Sequence, residues 1–232
     1  MKAVVLLSGG LDSTVLLHKM VSYGDQVMAL TLDYGQLHRK EITFARMQAE
    51  RVGVHWKYLN IEEVFQDIDT PLLSGKGIPQ MTYAEQLAQM GGKGTVKTYV
   101  PNRNMMLLSI AAAQAIGRGY DTVAYAAHMD DAAGSAYPDC TPKFVHEMDA
   151  VLNTQGIRLF APFIIGHDGR GWNKADIVRK GLELNVDFVF TWSCYFGDTE
   201  PCGVCGTCRD RAAAFEANGI VDPLIQSLSS IS

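Results

Sequence analysis

A glycine-containing turn near the start of the chain, Ser8-Gly9-Gly10-Leu11-Asp12-Ser13, constrains the fold more than any other stretch. The apolar residues 2–7 before the turn predict a buried strand of a parallel sheet. After the turn, apolar residues at helical spacing predict a helix that ends near Gly24. Glycines let the backbone approach a ligand closely, and the free N–H groups at a helix N-terminus attract anions. The turn therefore predicts a phosphate site, with a purely structural strand-to-helix connection as the alternative.

Strands and helices alternate along much of the chain. Beyond the first strand, four more are predicted, at residues 26–33, 54–60, 121–127 and 157–163. This alternation is typical of α/β proteins with a doubly wound, Rossmann-like parallel sheet. In that fold class ligands bind beyond the carboxyl ends of the strands, where the Ser8 turn and the turn Asp33-Tyr34-Gly35-Gln36 would both lie.

Helical spacing of apolar residues predicts five further helices, at about residues 38–52, 105–116, 142–154, 173–184 and 209–218. The helix at 105–116 is apolar on nearly every face, which predicts burial between other elements. Residues 188–191 are predicted to be extended. The polar, serine-rich residues 226–232 predict a frayed tail.

Residues 61–100 are the least regular part of the chain, with two prolines and a cluster of glycines. Irregular segments of this length inside a domain usually serve a function or stay mobile. We expect residues 67–99 to form a flexible flap over the active site.

Composition limits the classes of protein to which the chain can belong. Its 232 residues can form one large domain, or one domain with a small appendage. The net charge of −5 argues against a large basic surface, so no direct nucleic-acid partner is expected. No apolar run is long enough to span a membrane, and Met1-Lys2 leads into the first strand without a secretory or transit peptide. We therefore expect a cytoplasmic protein with no membrane partner.

Four of the five cysteines lie close together, as Cys194-x7-Cys202-x2-Cys205-x2-Cys208. Four thiolates at this spacing can close a tetrahedral Zn²⁺ site, and a closed coordination shell predicts a structural role. An iron–sulfur cluster is the main alternative because Cys-x2-Cys-x2-Cys opens the bacterial ferredoxin pattern, although the Cys-x3-Cys-Pro completion is missing. Free redox thiols are a third interpretation. Cys140 stands apart and is interpreted as a buried thiol.

Charged residues near the predicted strand ends are candidates for catalysis. Asp12 and Asp33 could hold Mg²⁺, which takes oxygen ligands and bridges phosphates, or could cap a helix and form a turn. Arg103 precedes a predicted helix, where its guanidinium could clamp a carboxylate or a phosphate. Lys174 lies at a predicted helix start, where its positive charge is unfavourable next to the positive end of the helix dipole. An anionic ligand would offset this unfavourable charge, although a solvated surface lysine is the simpler interpretation. A weak metal-binding pattern comes from three further residues, His128, Asp130 and Asp131.

The first turn resembles the pyrophosphatase loop of the PP-loop ATPases. This resemblance implies that ATP is cleaved between its α and β phosphates. The pyrophosphate would be held by the residues of the loop, Leu7, Ser8, Gly9, Gly10, Leu11, Asp12, Ser13 and Thr14. A Walker loop is excluded because the chain contains no Gly-x-x-x-x-Gly-Lys-[Ser/Thr] sequence.

From residue 4 to about residue 224, the sequence resembles the 7-cyano-7-deazaguanine synthase family of PP-loop enzymes. The resemblance rests on the loop and on motifs farther along the chain, Asp33-Tyr34-Gly35-Gln36, Val100-Pro101-Asn102-Arg103-Asn104, Tyr137-Pro138-Asp139-Cys140, Lys174-Ala175-Asp176-Ile177, Thr191-Trp192-Ser193-Cys194-Tyr195, Cys202-Gly203-Val204-Cys205-Gly206-Thr207-Cys208 and Gly219-Ile220-Val221-Asp222-Pro223-Leu224. The sequence departs from the family pattern at Asn102, in residues 127–131 and after Leu224.

The resemblance implies a carbon–nitrogen ligase that uses ATP, Mg²⁺ and Zn²⁺. A 7-carboxylate on 7-deazaguanine would attack the α phosphate of ATP, and ammonia would displace AMP from the acyl adenylate to give an amide. A second adenylation, on the amide oxygen, would leave the nitrile. The resemblance implies catalytic roles for Asp12, Asp33, Arg103 and Lys174, and substrate contacts from Tyr34, Gln36, Arg103, Asn104, Tyr137 and Asp139.

The resemblance also implies a homodimer. Within each chain, we expect residues 1–190 to form the ATP-binding PP-loop domain. Residues 191–232 would form a small C-terminal zinc-binding subdomain with a final helix.

Other functions are compatible with parts of this pattern. A tRNA thiolase or lysidine synthase would share the loop, but it would need a tRNA-binding domain that an acidic chain without a basic extension does not offer. A related enzyme could stop at the amide, or could transfer the deazapurine acyl group to another amine, such as one on a protein. A non-enzymatic nucleotide-binding module would need neither the four cysteines nor a long flap.

Overall fold

A central sheet of five parallel strands organises the chain. The computed structural model describes residues 1–166, 169–196 and 199–229. Neighbouring strands pair in parallel, in the order β3-β2-β1-β4-β5. The strands are β1 (Lys2–Leu6), β2 (Gln26–Asp33), β3 (His55–Asn60), β4 (Thr122–Ala124) and β5 (Arg158–Phe160).

Helices cover both faces of this sheet. They are α1 (Leu11–Ser22), α2 (Lys40–Arg51), α3 (Pro71–Ser74), α4 (Tyr83–Gln89), α5 (Arg103–Ile116), α6 (Met129–Ala132), α7 (Pro142–Asn153), α8 (Lys174–Glu183), α9 (Gly206–Glu216) and α10 (Pro223–Ser229). Side chains alternate across β1, so Ala3 and Val5 belong to one apolar core with α1, α2, α8 and α9, whereas Val4 belongs to a second core with α5 and α7. The predicted α/β class with a doubly wound parallel sheet is therefore confirmed. None of the helices in the described parts of the chain has the length and hydrophobicity that crossing a membrane requires.

The order of the strands creates a crevice beside β1. The chain moves from β1 toward β2 and β3 on one side, and later returns to the other side of β1 to form β4 and β5. Residues 7–10 follow β1 and residues 125–128 follow β4, and the two strands pair side by side in parallel. Their carboxyl ends therefore meet at a topological switch point, where α/β sheets bind ligands.

Five segments differ from the sequence predictions. Two are strand ends: residues 125–127 and 161–163, predicted as strand, lie beyond the ends of β4 and β5, and residues 125–127 line the crevice instead of continuing the sheet. Residues 188–191, predicted as extended, contain the 3-10 turn Phe188–Phe190, whose start is capped by the Asp187 carboxylate. Residues 226–229, predicted as frayed, belong to α10, while residues 230–232 lie outside the described residues. The helix α5, predicted to be buried on nearly every face, exposes Met105 and Ile116 because only one of its faces packs on the sheet.

The predicted flap, residues 67–99, contains the short helices α3 and α4. The helix α4 begins with a capping box between Thr82 and Glu85, so its start is locally stabilised. Several apolar side chains anchor the segment to the rest of the chain, namely Leu72, Ile78, Tyr83, Leu87 and Val96, which are all buried. The flexibility of this segment stays a prediction.

Candidate active site

The turn after β1 forms a closely hydrogen-bonded loop. The Ser8 hydroxyl lies 3.0 Å from the Ser13 hydroxyl and accepts from the Gly10 N–H at 3.1 Å. Gly9 has a φ of +92°, and a Cβ at this position would collide with the carbonyl oxygen of Glu41 in α2. Only glycine therefore fits there. Because α1 begins directly after the loop, its free N–H groups are available to an anion in the crevice.

A cavity of about 260 Å³ opens beside this loop. Predicted ATP-loop residues form part of its lining, namely Leu7, Ser8, Gly10, Leu11, Asp12 and Ser13. Thr14 is buried behind the loop, and Gly9 faces α2. Residues predicted from distant parts of the sequence line the same cavity, namely Tyr34, Gln36, Arg103, Asn104, Tyr137 and Lys174. The fold thus brings the predicted phosphate loop and most of the predicted substrate residues together.

Asp12 and Lys174 form an ion pair in the wall of the cavity. Lys174 Nζ donates to Asp12 Oδ2 at 2.7 Å, and the lysine side chain is only 14 % exposed. The interpretation of Lys174 as a solvated surface residue is therefore wrong. Burial by itself would raise the pKa of Asp12, but the charges of Lys174 and His128 outweigh burial and hold this pKa well below its ordinary value.

The second oxygen of Asp12 suits a divalent cation. Asp12 Oδ1 is buried and has no hydrogen-bond partner among the described residues. Mg²⁺ binds proteins through one or two carboxylates together with the phosphates of a substrate. The carboxylate beside the phosphate loop therefore fits the Mg²⁺ that ATP chemistry would bring.

His128 and Asp131 extend this charged cluster, although their sequence pattern was weak. His128 is 2 % exposed, and its Nε2 lies 3.4 Å from Asp131 Oδ2 and 3.7 Å from Asp12 Oδ2. Burial alone would lower the pKa of His128, but the carboxylates of Asp131 and Asp12 raise it. At the start of α8, the Lys174 N–H donates to Asp130 Oδ2 at 2.8 Å. These residues form a network of opposite charges around the end of the loop.

Besides Gly9 and Thr14, two further predicted site residues, Asp33 and Asp139, lie outside the lining of the cavity. Asp33 accepts from the Gly35 N–H at 3.1 Å and from the Tyr58 hydroxyl at 2.9 Å, bonds that fit the turn-forming interpretation. Asp139 Oδ2 accepts from the N–H of Asn104 at 3.1 Å, in the first turn of α5. Both carboxylates thus support segments that do line the cavity.

Another part of the wall is aromatic and carries Arg103. Its Nη1 donates to the Tyr34 hydroxyl at 3.2 Å, and its guanidinium carbon lies 5.4 Å from the centre of the Tyr34 ring. The hydroxyls of Tyr83 and Tyr195 lie 2.7 Å apart, and burial raises the pKa of Tyr137 to about 12. All of these tyrosines are therefore neutral hydrogen-bonding groups at ordinary pH. Flat apolar walls with a few polar groups suit a planar heterocycle.

Sequence analysis missed four ionisable residues of the lining, namely Tyr83, Tyr125, His38 and Glu41. Burial raises the pKa of Glu41 to about 8, against the lowering effect of the Arg103 charge. His38 is 6 % exposed, its Nε2 lies 3.5 Å from Glu41 Oε2, and its Nδ1 has no hydrogen-bond partner among the described residues. The signal that could have found the pair is the spacing His-x-x-Glu after the Asp33 turn, where the Glu41 N–H donates to the His38 carbonyl at 3.2 Å in the turn that leads into α2.

The four clustered cysteines converge in the structure. The Sγ atoms of Cys194, Cys202, Cys205 and Cys208 all lie within 4.8 Å of one another. Tetrahedral Zn–S bonds of about 2.3 Å would place the sulfurs roughly 3.8 Å apart, so little adjustment would be needed. The N–H groups of Phe196 and Cys202 donate to Cys194 Sγ at 3.4 and 3.3 Å, which favours a thiolate. The donor set therefore fits a metal site.

The segment that carries these cysteines is also a wall of the cavity. The N–H of Trp192 donates to the carbonyl oxygen of Gly9 at 3.0 Å, which ties the segment to the phosphate loop. Ser193, Tyr195 and Thr207 line the cavity, and the Thr207 hydroxyl donates to the Ser193 carbonyl at 2.7 Å. The predicted boundary between residues 190 and 191 thus runs through the candidate active site.

Comparison with known proteins places the chain in a family. The sequence model of the family described as "Queuosine biosynthesis protein QueC" matches residues 2–219. The chain belongs to this family. A relative from Archaeoglobus fulgidus, named 7-cyano-7-deazaguanine synthase, is 43 % identical over 230 residues, which cover 97 % of this chain and 90 % of the relative. A protein of the same name from Psychromonas ingrahamii is 39 % identical over 226 residues and is covered to 96 %, as is this chain.

Solved structures share the fold at much lower sequence identity. A U34-tRNA thiolase from Methanococcus maripaludis, solved with its [4Fe-4S] cluster, aligns with a TM-score of 0.53 and 14 % identity over 100 % of this chain and 72 % of its own. NMN synthetase from Francisella tularensis aligns with a TM-score of 0.52 and 16 % identity over 97 % of this chain and 81 % of its own. At such identities the likeness extends to the fold alone.

Proposed function

We propose that this protein is an ATP-dependent ligase that converts 7-carboxy-7-deazaguanine and ammonia into 7-cyano-7-deazaguanine. The observation that carries the proposal is the cavity in which the phosphate loop, the Asp12–Lys174 ion pair and an aromatic wall with Arg103 meet. The match of the family to residues 2–219, and relatives of that name at 43 % and 39 % identity, support the same substrate.

The residues around the loop suit the transfer of an adenylyl group. The hydroxyls of Ser8 and Ser13 and the N–H groups at the start of α1 would hold the departing pyrophosphate. Asp12 Oδ1 would ligate Mg²⁺, which neutralises phosphate charge when it is bound. Lys174 would add a positive charge from the cavity wall, and Arg103 would orient the substrate carboxylate. Catalysis would then consist of positioning and charge stabilisation.

The same cavity would serve two rounds of this chemistry. In the first, a carboxylate oxygen attacks the α phosphorus, and ammonia then displaces AMP from the acyl adenylate to give the amide. In the second, the amide oxygen is adenylated and AMP leaves with that oxygen, so that the nitrile remains. Each nitrile would consume two molecules of ATP. A flap over the cavity, residues 67–99, would exclude the water that otherwise hydrolyses the acyl adenylate.

Incubation of the purified protein with ATP, ammonia and the deazaguanine acid tests the proposal by mass spectrometry. We expect AMP and pyrophosphate, two ATP consumed per nitrile, and conversion of added amide to the nitrile. Asp12→Asn should lower turnover by on the order of 10²–10³-fold with an unchanged circular dichroism spectrum. ADP as the nucleotide product would overturn the adenylation chemistry. Accumulation of the amide alone would instead favour an enzyme that stops at the amide or transfers the acyl group to another amine.

We also propose that Zn²⁺ occupies the four-cysteine site and has a structural role. Four thiolates complete a tetrahedral shell and leave no open position for catalysis. Elemental analysis should find about one zinc per chain, and Cys205→Ser should lose the metal and lower the melting temperature. Stoichiometric iron with a visible absorption band would contradict zinc and support an iron–sulfur cluster.

The partners and location follow from the same proposal. We propose a cytoplasmic homodimer that acts on small molecules and binds no nucleic acid. The net charge of −5 and the resemblance to the family support this statement. Light scattering should give twice the mass of one chain. Specific binding of tRNA at physiological salt would contradict the proposal and favour a tRNA-modifying enzyme.

A further inference from the structure

Glu41 lies at the junction of the two halves of the cavity and has no role in the mechanism so far. It belongs to the first turn of α2, which packs directly on Gly9 of the phosphate loop. Its side chain is 12 % exposed and lines the cavity together with Arg103 and Asp12, and its Oε1 lies 3.7 Å from the position of a Cβ built on Gly10 of the loop. The loop marks the phosphate side of the cavity, and Arg103 marks the substrate side. Glu41 therefore faces the place where the acyl adenylate would form.

The proposed reaction has a demand that the phosphate loop, the Asp12–Lys174 ion pair and Arg103 do not meet. The nitrogen arrives as ammonium with four protons and ends as a nitrile nitrogen with none. Two protons leave as the C–N bond forms and the bond from carbon to the AMP oxygen breaks. Two more leave as the amide becomes the nitrile. A proton acceptor beside the acyl carbon is therefore required.

Most ionisable groups of the lining are unsuited to accept these protons. The Asp12 carboxylate is engaged by Lys174 at 2.7 Å, and its low pKa makes it a weak base. Asp131 lies 3.4 Å from the His128 ring, whose raised pKa favours its charged form, whereas burial lowers the pKa of His38 beside Glu41 to about 4 and keeps that ring neutral. Lys174 and Arg103 are cations. The pKa of the Tyr34, Tyr83, Tyr125, Tyr137 and Tyr195 hydroxyls and of the Cys140 thiol is raised, chiefly by burial, so these groups stay protonated.

We propose that the Glu41 carboxylate is the proton acceptor for the incoming nitrogen, with His38 as its positioning residue. This inference rests on the proposed function and adds the residue that activates ammonia. In the first step, an ammonium N–H bond breaks, its proton moves to a Glu41 oxygen, and the freed electron pair attacks the acyl carbon. The proton then leaves to solvent through the open cavity before the next transfer. The burial that raises the pKa of Glu41 to about 8 brings it close to working pH, as an efficient general base requires.

The test separates adenylation from nitrogen transfer in Glu41→Gln. Exchange of labelled pyrophosphate into ATP, dependent on the deazaguanine acid, reports adenylation alone and should be unchanged. Formation of amide from ammonia should fall by on the order of 10²–10⁴-fold. Hydroxylamine, which is uncharged near neutral pH, needs no such deprotonation and should still give the hydroxamate at the wild-type rate. Glu50→Gln, the same change at a 59 % exposed position of α2, is the control and should leave all three reactions unchanged.

Each outcome decides for or against this role. If Glu41→Gln loses pyrophosphate exchange as well, Glu41 serves ATP binding or the loop, and the inference is overturned. Equal losses with ammonia and hydroxylamine would also overturn it, because they would indicate a purely structural role. Glu41→Asp should recover part of the ammonia-dependent rate without changing the exchange rate. If the wild-type protein itself shows no exchange that depends on the deazaguanine acid, the proposed function fails, which is a distinct result.

Discussion

A buried arginine in α9 provides the sharpest test of how the cysteine segment is held in place. Arg211 donates to both oxygens of Asp222, at 2.6 and 2.9 Å, and the two side chains are 5 % and 7 % exposed. It also donates to the Thr191 hydroxyl at 2.8 Å and to the Phe188 carbonyl at 3.1 Å. One guanidinium thus joins α9, the 3-10 turn at Phe188 and the start of α10.

We expect Arg211→Met to destabilise the protein strongly. Methionine fills much of the volume but donates no hydrogen bond, so Asp222 is left as an uncompensated buried charge. Removing one partner of a buried ion pair costs about 3–5 kcal/mol of unfolding free energy. Domains of ordinary stability have about 5–15 kcal/mol in total. For a chain of this length the loss corresponds to a fall of about 6–20 °C in melting temperature.

Urea unfolding followed by circular dichroism, at one fixed zinc concentration, measures this loss without a change in metal binding. Arg46→Met is the matched control, because the Arg46–Glu50 pair of α2 is 63 % and 59 % exposed and such pairs contribute about 0.3–0.5 kcal/mol. Adding Asp222→Asn to Arg211→Met should restore part of the lost stability, because it removes the unpaired buried carboxylate. A loss in Arg211→Met no larger than that of the control would refute the reasoning.

Two further predictions concern the loop and its charged neighbours. Gly9→Ala should abolish ATP binding in calorimetry, because the added Cβ would collide with the Glu41 carbonyl. In Gly24→Ala the added Cβ would have nothing within 4 Å, so this variant should lose only about 1–2 kcal/mol through backbone strain. Equal losses of ATP binding in the two variants would contradict this difference. The pKa of His128 is raised in the folded state above its ordinary 6.5, so its contribution to stability is complete below that value and is lost as the pH rises through the folded-state pKa. His128→Gln should therefore flatten the alkaline side of the stability profile, and an NMR titration that places the His128 pKa below 6.5 would contradict the raised value.

Local sequence patterns predicted the sheet because the information that builds each strand lies within the strand. Residues 26–33 form β2 with the predicted bounds, since a short, continuous apolar run is typical of a strand that is buried on both faces of a parallel sheet. The same reasoning failed at residues 188–191. Their apolar side chains have the sequence pattern of a strand. In the structure, however, the Phe188 carbonyl accepts a hydrogen bond from Arg211, and the Asp187 carboxylate caps a 3-10 turn. Those partners come from the tertiary structure rather than from the segment itself.

The candidate site was predictable where one motif carries several of its residues. The loop after β1 needs glycine at position 9 and places its hydroxyls by local geometry, so the sequence pattern alone indicated it. Lys174 is brought to Asp12 by the fold, so its position at a predicted helix start alone suggested a solvated surface residue. His128 gave only a weak sequence pattern and Glu41 only the spacing His-x-x-Glu, because the burial and neighbouring charges that make both residues important are not visible in a linear sequence.

The hydrogen bond from Trp192 to Gly9 sets an order on the synthesis of an active molecule. The phosphate loop follows the first strand, whereas Trp192, which donates to the backbone of that loop, comes after the fifth strand. A nascent chain halted before residue 192 would carry the ATP motif and the strands that follow it, but one wall of the cavity would be missing. The cavity is therefore complete only when the cysteine segment has folded back onto the loop after β1.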